Sequence, residues 1–179
     1  MIVTARLELI PCDEGLLRAI VAGPEEAAVR LGLVVPEGWP EFPEAYAHAL
    51  ELIARGEDPG AWWTYVFIDR RRGALIGSGG YKGPPDPEGH VEIGYETAPA
   101  FRGRGYATEA AAGLIAHAFE APDVRAVLAH TLPEANTSTR ILEHSGMTKV
   151  GVVEDPTDGT IWRWRVERHA WERRGPPAH

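Results

Sequence analysis

Residues 91–110, VEIGYETAPAFRGRGYATEA, change periodicity partway along. Val91, Ile93 and Tyr95 alternate with Glu92, Gly94 and Glu96, the period-two signature of a strand with two unlike faces. Pro99 ends that run, because it lacks a ladder N–H and restricts the residue before it. From Gly105 onward, Ala107, Ala110, Ala111, Leu114, Ile115, Ala118 and Phe119 recur at helical spacing. A strand must therefore feed a helix through Arg102-Gly103-Arg104-Gly105, which confines the chain to folds that layer helices on a sheet.

Such a junction has chemical consequences. The amides at the helix start lack intrahelical partners and point outward with a favourable dipole, an arrangement that suits phosphate. Gly103 and Gly105 let the backbone approach an anion closely, and Arg102 and Arg104 add charge for its oxygens. The dinucleotide fingerprint is not met, since its third glycine and later acidic residue are missing, and there is no P-loop lysine. Taken alone, the run reads equally well as an exposed turn and helix start.

The remaining elements follow from the same periodicities. Ile2 to Ile10 alternates as a strand, and Cys12 to Ala22 and Pro24 to Leu31 are helical. Three prolines break up LGLVVPEGWPEFPEAY before a helix over Glu44 to Arg55. Strands are expected at Trp62 to Asp69, Ala74 to Tyr81, His90 to Thr97, Arg125 to Thr131, Met147 to Val153 and Thr160 to His169. A helix over Thr137 to Ser145 is closed by Gly146. This order predicts an α/β (α+β) single domain over residues 1–171, with a mixed, mostly antiparallel sheet of six or seven strands and helices on both faces; residues 172–179 form a flexible tail.

A chain of 179 residues is long enough for one sizeable core and too short for two ordinary domains. No segment approaches the roughly 18 continuous apolar residues of a membrane span. MIVTARLELI has neither a basic start nor an apolar stretch with a cleavage site, and Cys12 is the only cysteine, so an unexported, cytoplasmic, disulfide-free protein is expected. The formal net charge of −8 argues against nucleic acid and mildly favours cationic partners such as amines or basic peptides. Arg70, Arg71 and Arg72 read as a solvated hairpin turn.

Arg102 to Ala107 matches the R/Q-x-x-G-x-G/A signature of the GNAT superfamily of acetyl-CoA-dependent N-acetyltransferases, in the strand-to-helix context that family uses. TARLELIPC, VEIGYETAPAFRGRGYATEA and NTSTRILEHSGMTKVG (136–151) further resemble blocks of its ribosomal-protein N-terminal acetyltransferase branch, and together the likeness spans Thr4 to Val166. The resemblance implies a GNAT-like fold whose fourth and fifth strands splay apart to admit acetyl-CoA. It puts the pyrophosphate on the amides of Arg102, Gly103, Arg104, Gly105, Tyr106 and Ala107, and the pantetheine arm on the backbone near Glu96 and Thr97. A strand N–H would polarise the thioester carbonyl.

An amine is protonated near neutral pH and needs a base before it can attack. The resemblance offers two positions. Glu92 matches a strand glutamate that serves some members, and His130 stands where others carry a glutamate on the following strand. Each residue reads equally well as a polar strand-face residue, and both remain open. The tyrosine that many members use to stabilise the leaving thiolate is replaced by Leu142; Ser138 matches the serine of the branch, or serves simply in a Thr-Ser-Thr helix start. The pantetheine asparagine of the branch falls on Ala135, with Asn136 one residue later. Trp39 is a candidate wall of the acceptor site. Cys12 has no activating neighbour, and no residue spacing suits a metal.

The expected function is therefore transfer of acetyl from acetyl-CoA to a primary amine, a protein or peptide N-terminus in the branch it resembles. A small-molecule amine, aminoglycoside-like compounds included, is the alternative acceptor, and a non-catalytic acyl-CoA-binding regulatory module is the alternative class. Acetyl-CoA and the amine are the expected partners, with a homodimer the expected assembly if the chain self-associates.

Overall fold

A computed structural model of the chain describes residues 1–57, 62–156 and 159–174. Eight strands form one sheet: β1 (Ile2–Val3), β2 (Leu7–Pro11), β3 (Thr64–Asp69), β4 (Ala74–Tyr81), β5 (His90–Thr97), β6 (Ala126–Thr131), β7 (Thr148–Asp155) and β8 (Gly159–Glu167). Their spatial order is β1-β2-β3-β4-β5-β6-β8-β7. Every neighbouring pair is antiparallel except β5 and β6.

Helices α1 (Glu14–Ala22), α2 (Pro24–Leu31) and α3 (Pro43–Ala54) lie between β2 and β3 in the chain, α4 (Tyr106–Ala118) joins β5 to β6, α5 (Thr137–His144) joins β6 to β7, and α6 (Arg168–Arg174) follows β8. One sheet face buries Leu9, Phe67, Ile76, Val91, Ile93 and Val127 against Ala110, Ala111, Leu114 and Ile115 of α4. The other buries Val66 and Leu75 against Leu16, Leu17, Ile20, Tyr46 and Ala49 of α1 and α3. The alternation along the central strands sends successive residues to opposite faces of the sheet, and so β3 and β4 feed both cores.

Two details depart from the expectations. The single strand expected over Ile2–Ile10 is a pair of antiparallel strands, because the chain turns at Thr4–Arg6 and pairs Ile2 with Leu9. The turn is held by the buried Glu109 carboxylate of α4, which accepts from the Thr4 hydroxyl, the Arg6 N–H and Arg6 Nε, each at 2.6 Å. That raises the strand count to eight. At the other end β8 stops at Glu167 and α6 occupies Arg168–Arg174, where the sequence suggests a strand end and a tail. Arg168 donates to the carbonyls of Phe119, Ala121 and Val124, and Trp171 packs against Phe119 with ring centroids 6.2 Å apart. Residues 175–179 of the expected tail lie outside the described residues.

Candidate active site

The β5–β6 ladder is short. It pairs His90 with Ala126, Val91 with Val127 and Glu92 with Leu128, and stops, although β5 runs on to Thr97 and β6 to Thr131. The sheet opens there, at the strand pair where a splay is expected. On the β4 side, Lys82 N–H donates to the Glu92 carbonyl and Ala98 N–H to that of Ile76. Antiparallel pairs alternate between bonded and non-bonded, so the even-numbered residues of β5 turn their backbone groups toward β4. Ile93, Tyr95 and Thr97 therefore turn theirs toward β6 and, past the last ladder pair, toward the opening.

This register corrects one expectation. Glu96 pairs with Ser78 of β4 and does not present its backbone to the opening. Its side chain is buried on the α3 face, where Oε1 accepts from Ser78 Oγ at 2.7 Å and Oε2 from the Glu41 N–H at 2.7 Å. Ser78 Oγ in turn accepts from Trp39 Nε1 at 3.0 Å and from the Tyr46 hydroxyl. Trp39 is thus a core residue at 5% exposure rather than a free wall of a pocket. The segment before α3 is stapled to the sheet by this network, and Tyr95, which sequence reasoning passed over, takes the place of Glu96 beside the opening.

Between β5 and α4, Pro99–Phe101 forms one 3-10 turn, and Gly103 (φ +72°) and Gly105 (φ +76°) adopt left-handed backbone that only glycine enters without strain. Gly105 is the N-cap of α4 and brings no side chain, and no side-chain cap bond is made there. By contrast, Asp13 caps α1, and Asn136 caps α5 through a reciprocal box with Thr139. The first amides of α4, at Tyr106 and Ala107, are left to another acceptor. A Cβ at Gly103 would meet nothing within 4 Å, so the loop stands clear.

The side chains of this loop divide. Arg104 is exposed, stacked 5.8 Å over the Phe101 ring, and has no carboxylate partner among the described residues. Arg102 is turned back: its Nε donates to the Thr97 carbonyl at 3.0 Å and its Nη2 to Glu41 Oε2 at 2.6 Å. Tyr106 is buried and its hydroxyl bonds Asp69, with the Arg6 guanidinium 4.4 Å over its ring, so it has only its backbone to offer a ligand.

Glu92 and His130, far apart in sequence, meet: His130 Nδ1 lies 2.8 Å from Glu92 Oε1. Arg163 of β8, directly across from His130 in the ladder, donates its Nε to His130 Nε2 at 3.1 Å. Arginine cannot accept a hydrogen bond, so Nε2 is the acceptor and the ring proton sits on Nδ1, facing the carboxylate. Lys82 binds the same Glu92 oxygen. Burial alone would raise the Glu92 carboxyl, but the Lys82 ammonium and the His130 N–H outweigh it and hold the group below its ordinary value. Gly94, between Glu92 and Glu96 on the same face, is exposed, and a Cβ there would meet nothing within 4 Å. The face is thus open between two carboxylates about 13 Å apart along the strand, at roughly 3.3 Å per residue.

Ser138 is half-buried in the first turn of α5, and its hydroxyl makes no hydrogen bond among the described residues. Asn136 spends its side-chain oxygen on Thr139 N–H at 3.2 Å, which leaves its amide donors. Burial and the neighbouring Asp13 push the Cys12 thiol up to about 12, the opposite of an activated nucleophile. Among the described residues no cluster of His, Cys, Asp or Glu is able to hold a metal, and no helix is long and apolar enough to cross a membrane. Lys82 and Arg163 escaped sequence reasoning. The alternation in TIWRWRVER, Trp162 and Trp164 against Arg163 and Arg165, is the signal that places both arginines on one strand face.

The chain is 29% identical over 145 residues to the uncharacterized N-acetyltransferase YjdG of Bacillus subtilis strain 168, covering 80% of this chain and 86% of that protein. Its fold is similar to that of the spermidine/spermine N-acetyltransferase SpeG from Vibrio cholerae in complex with manganese ions (TM-score 0.68, 17% identity, 96% of this chain and 98% of the other). A dodecameric structure of the Vibrio cholerae spermidine N-acetyltransferase gives a TM-score of 0.69 at 17% identity over 96% and 99% of the two chains. A GNAT-family acetyltransferase from Bacillus anthracis gives 0.64 at 17% identity over 94% and 98%. The family model for the acetyltransferase (GNAT) domain matches residues 6–148. With the splayed sheet and the uncapped glycine loop at the head of α4, this match establishes that the chain belongs to the GNAT acetyltransferase family and is an N-acetyltransferase.

Proposed function

We propose that the chain transfers the acetyl group of acetyl-CoA directly to a primary amine of a small molecule, in the opening between β5 and β6. The observation that carries this reading is the ending of that ladder at Glu92 and Leu128, with the uncapped first turn of α4 beyond β5 and the Glu92–His130 pair on the exposed sheet face. The likeness to spermidine acetyltransferases supports a small amine as acceptor. A protein or peptide N-terminus, the acceptor of the branch the sequence resembles, is the competing outcome.

Acetyl-CoA supplies the thioester carbonyl that the amine attacks. The amides of Gly103 to Ala107 and the Arg104 side chain fit its pyrophosphate, and Arg102 joins them by exchanging Glu41 for a phosphate oxygen. The backbone of Tyr95 and Thr97 fits the pantetheine arm and the thioester oxygen, and Asn136 offers its free amide donors to the same arm. Glu92 fixes the His130 ring with its proton on Nδ1, as a carboxylate orients the imidazole of a hydrolytic triad, so Nε2 takes the ammonium proton once the bond from Arg163 Nε gives way. The freed amine forms the C–N bond and the C–S bond breaks; the second proton of the attacking nitrogen passes to the departing sulfur, to which the Ser138 hydroxyl donates a hydrogen bond. A homodimer belongs to the same proposal; its candidate surface is the β7 edge, where Val150 and Val152 are exposed.

The test is thiol release from acetyl-CoA with a panel of small amines and N-terminal peptides. Turnover with small amines, lowered at least about tenfold by His130→Ala and with a shifted acidic limb in the pH–rate profile, is expected. Peptide-only turnover, or a profile unchanged in both His130→Ala and Glu92→Gln, refutes the acceptor or the base assignment respectively.

A further inference from the structure

The acetyl-transfer reading leaves Arg163 unexplained. It is half-buried on β8, on the sheet face that carries Glu92 and His130, and among the described residues the one hydrogen bond of its side chain is the Nε donation to His130 Nε2. Its neighbours are otherwise partnered. Lys82 binds Glu92, and Arg165, two residues on, lies 2.7 Å from Glu167 and 3.1 Å from His90 Nε2. Among the described residues Arg163 has no carboxylate within ion-pair distance, so its two terminal nitrogens are without a counter-charge at the mouth of the opening.

Resting on the acetyl-transfer reading, we infer that Arg163 selects the acceptor: a primary amine that also carries an anionic group, a carboxylate or a phosphate, which the free end of the guanidinium binds. Three observations carry this. A planar guanidinium with two unused donors side by side matches the two oxygens of such a group. A polycationic amine would face Lys82, Arg163 and Arg165, while Glu92, Glu167 and the loop residue Asp86 each already lie beside a cation or histidine and Glu96, four residues along β5, is buried in its bonds to Ser78 and the Glu41 N–H. The bond from Arg163 Nε also covers the lone pair that must take the acceptor's proton. An anion that draws the guanidinium toward itself uncovers Nε2 at the moment the amine is seated, so recognition of the anion and exposure of the base become one event. Gly94 and the open space over it leave room for the acceptor beside the pair.

The experiment measures kcat/KM at saturating acetyl-CoA for glycine against glycinamide, for O-phosphoethanolamine against ethanolamine, and for spermidine. The first pair reports a carboxylate and the second a phosphate. Because the amines of each pair differ in intrinsic basicity, the decisive quantity is the change in each ratio between the wild type and variants of Arg163. The wild type is expected to favour at least one anionic acceptor by about tenfold or more. Arg163→Gln should lower that ratio at least fivefold, and Arg163→Lys should recover part of it.

A second measurement needs no variant: propionate should inhibit competitively against the amine, and propionamide should not. Spermidine or the neutral amines used better than both anionic acceptors, a ratio unmoved in Arg163→Gln, or equal inhibition by propionate and propionamide overturns the inference while leaving acetyl transfer intact. No turnover with any amine, with acetyl-CoA still bound, overturns the acetyl-transfer reading itself.

Discussion

Replacing Arg6 by Met isolates the electrostatics that lock the head of α4 to the sheet. The Glu109 side chain is 1% exposed, whereas that of Arg6 is 38% exposed. Arg6→Met keeps the backbone N–H and the Thr4 hydroxyl on Oε1, but removes the guanidinium from Oε2. Stripping one partner from a buried ion pair costs about 3–5 kcal/mol; the solvent-facing end of Arg6 lets water reach the site, so about 2–3 kcal/mol is the appropriate share. The lost bond from Arg6 Nη1 to the Arg104 carbonyl and the lost stacking on Tyr106 bring the sum to about 3 kcal/mol, or roughly 6–12 °C in Tm for a chain this size.

The pH dependence follows from the direction of the Glu109 shift. Burial raises that carboxyl, but the Thr4 hydroxyl and Arg6 outweigh it, so its value in the folded protein is depressed. Its stabilisation is therefore complete above the unfolded value of about 4.3 and is lost as pH falls through the lower folded value. In Arg6→Met the carboxyl protonates more readily, so the penalty shrinks toward acid. Urea unfolding at pH 7 and near pH 4.5 measures both, and Arg6→Met combined with Glu109→Gln should recover more than half of the loss. A loss under about 1 kcal/mol at neutral pH, or one that grows toward acid, refutes the reasoning.

Two further substitutions probe the site. Gly105→Glu adds a carboxylate at the uncapped start of α4 and about 1–2 kcal/mol of left-handed strain; it should abolish acetyl-CoA binding by calorimetry while circular dichroism stays native, and retained affinity counts against the cradle. Ser78→Ala leaves Trp39 Nε1 and the Tyr46 hydroxyl without their shared acceptor and should cost about 2 kcal/mol in urea, with a change below about 0.5 kcal/mol excluding the staple.

Periodicity alone placed β3 to β8 and every helix from α1 to α5, because β3 to β6 and β8 each bury at least one face, the edge strand β7 keeps the same apolar alternation without burial, and α4 carries a long run of small apolar residues. It failed at Thr4–Arg6, where the reversal depends on a carboxylate 103 residues away in sequence from Arg6, and at Arg168, where three carbonyls from the α4–β6 connection draw the chain into a helix. The glycine loop was legible because left-handed backbone and a missing cap are local properties. The Glu92–His130 contact was legible only as two separate candidates, since their meeting depends on the parallel register of β5 and β6. Lys82 and Arg163 enter through cross-strand pairing, and Glu96 was misassigned because pattern fixes which face a side chain takes but not which edge of the strand its amide serves.

The alternation along β5 also bears on how such a protein changes over generations. Main-chain groups of Tyr95 and Thr97 leave the strand sideways into the opening, whereas the Glu92 side chain leaves it at right angles, onto the face that stays open over Gly94. On the proposed reading the donor is held by atoms that every residue type possesses, and the acceptor meets the atoms that distinguish one residue from another. Mutation at position 94 can then redirect the enzyme to new amines at little expense to its grip on the donor, and one strand serves as both the constant and the variable part of a lineage.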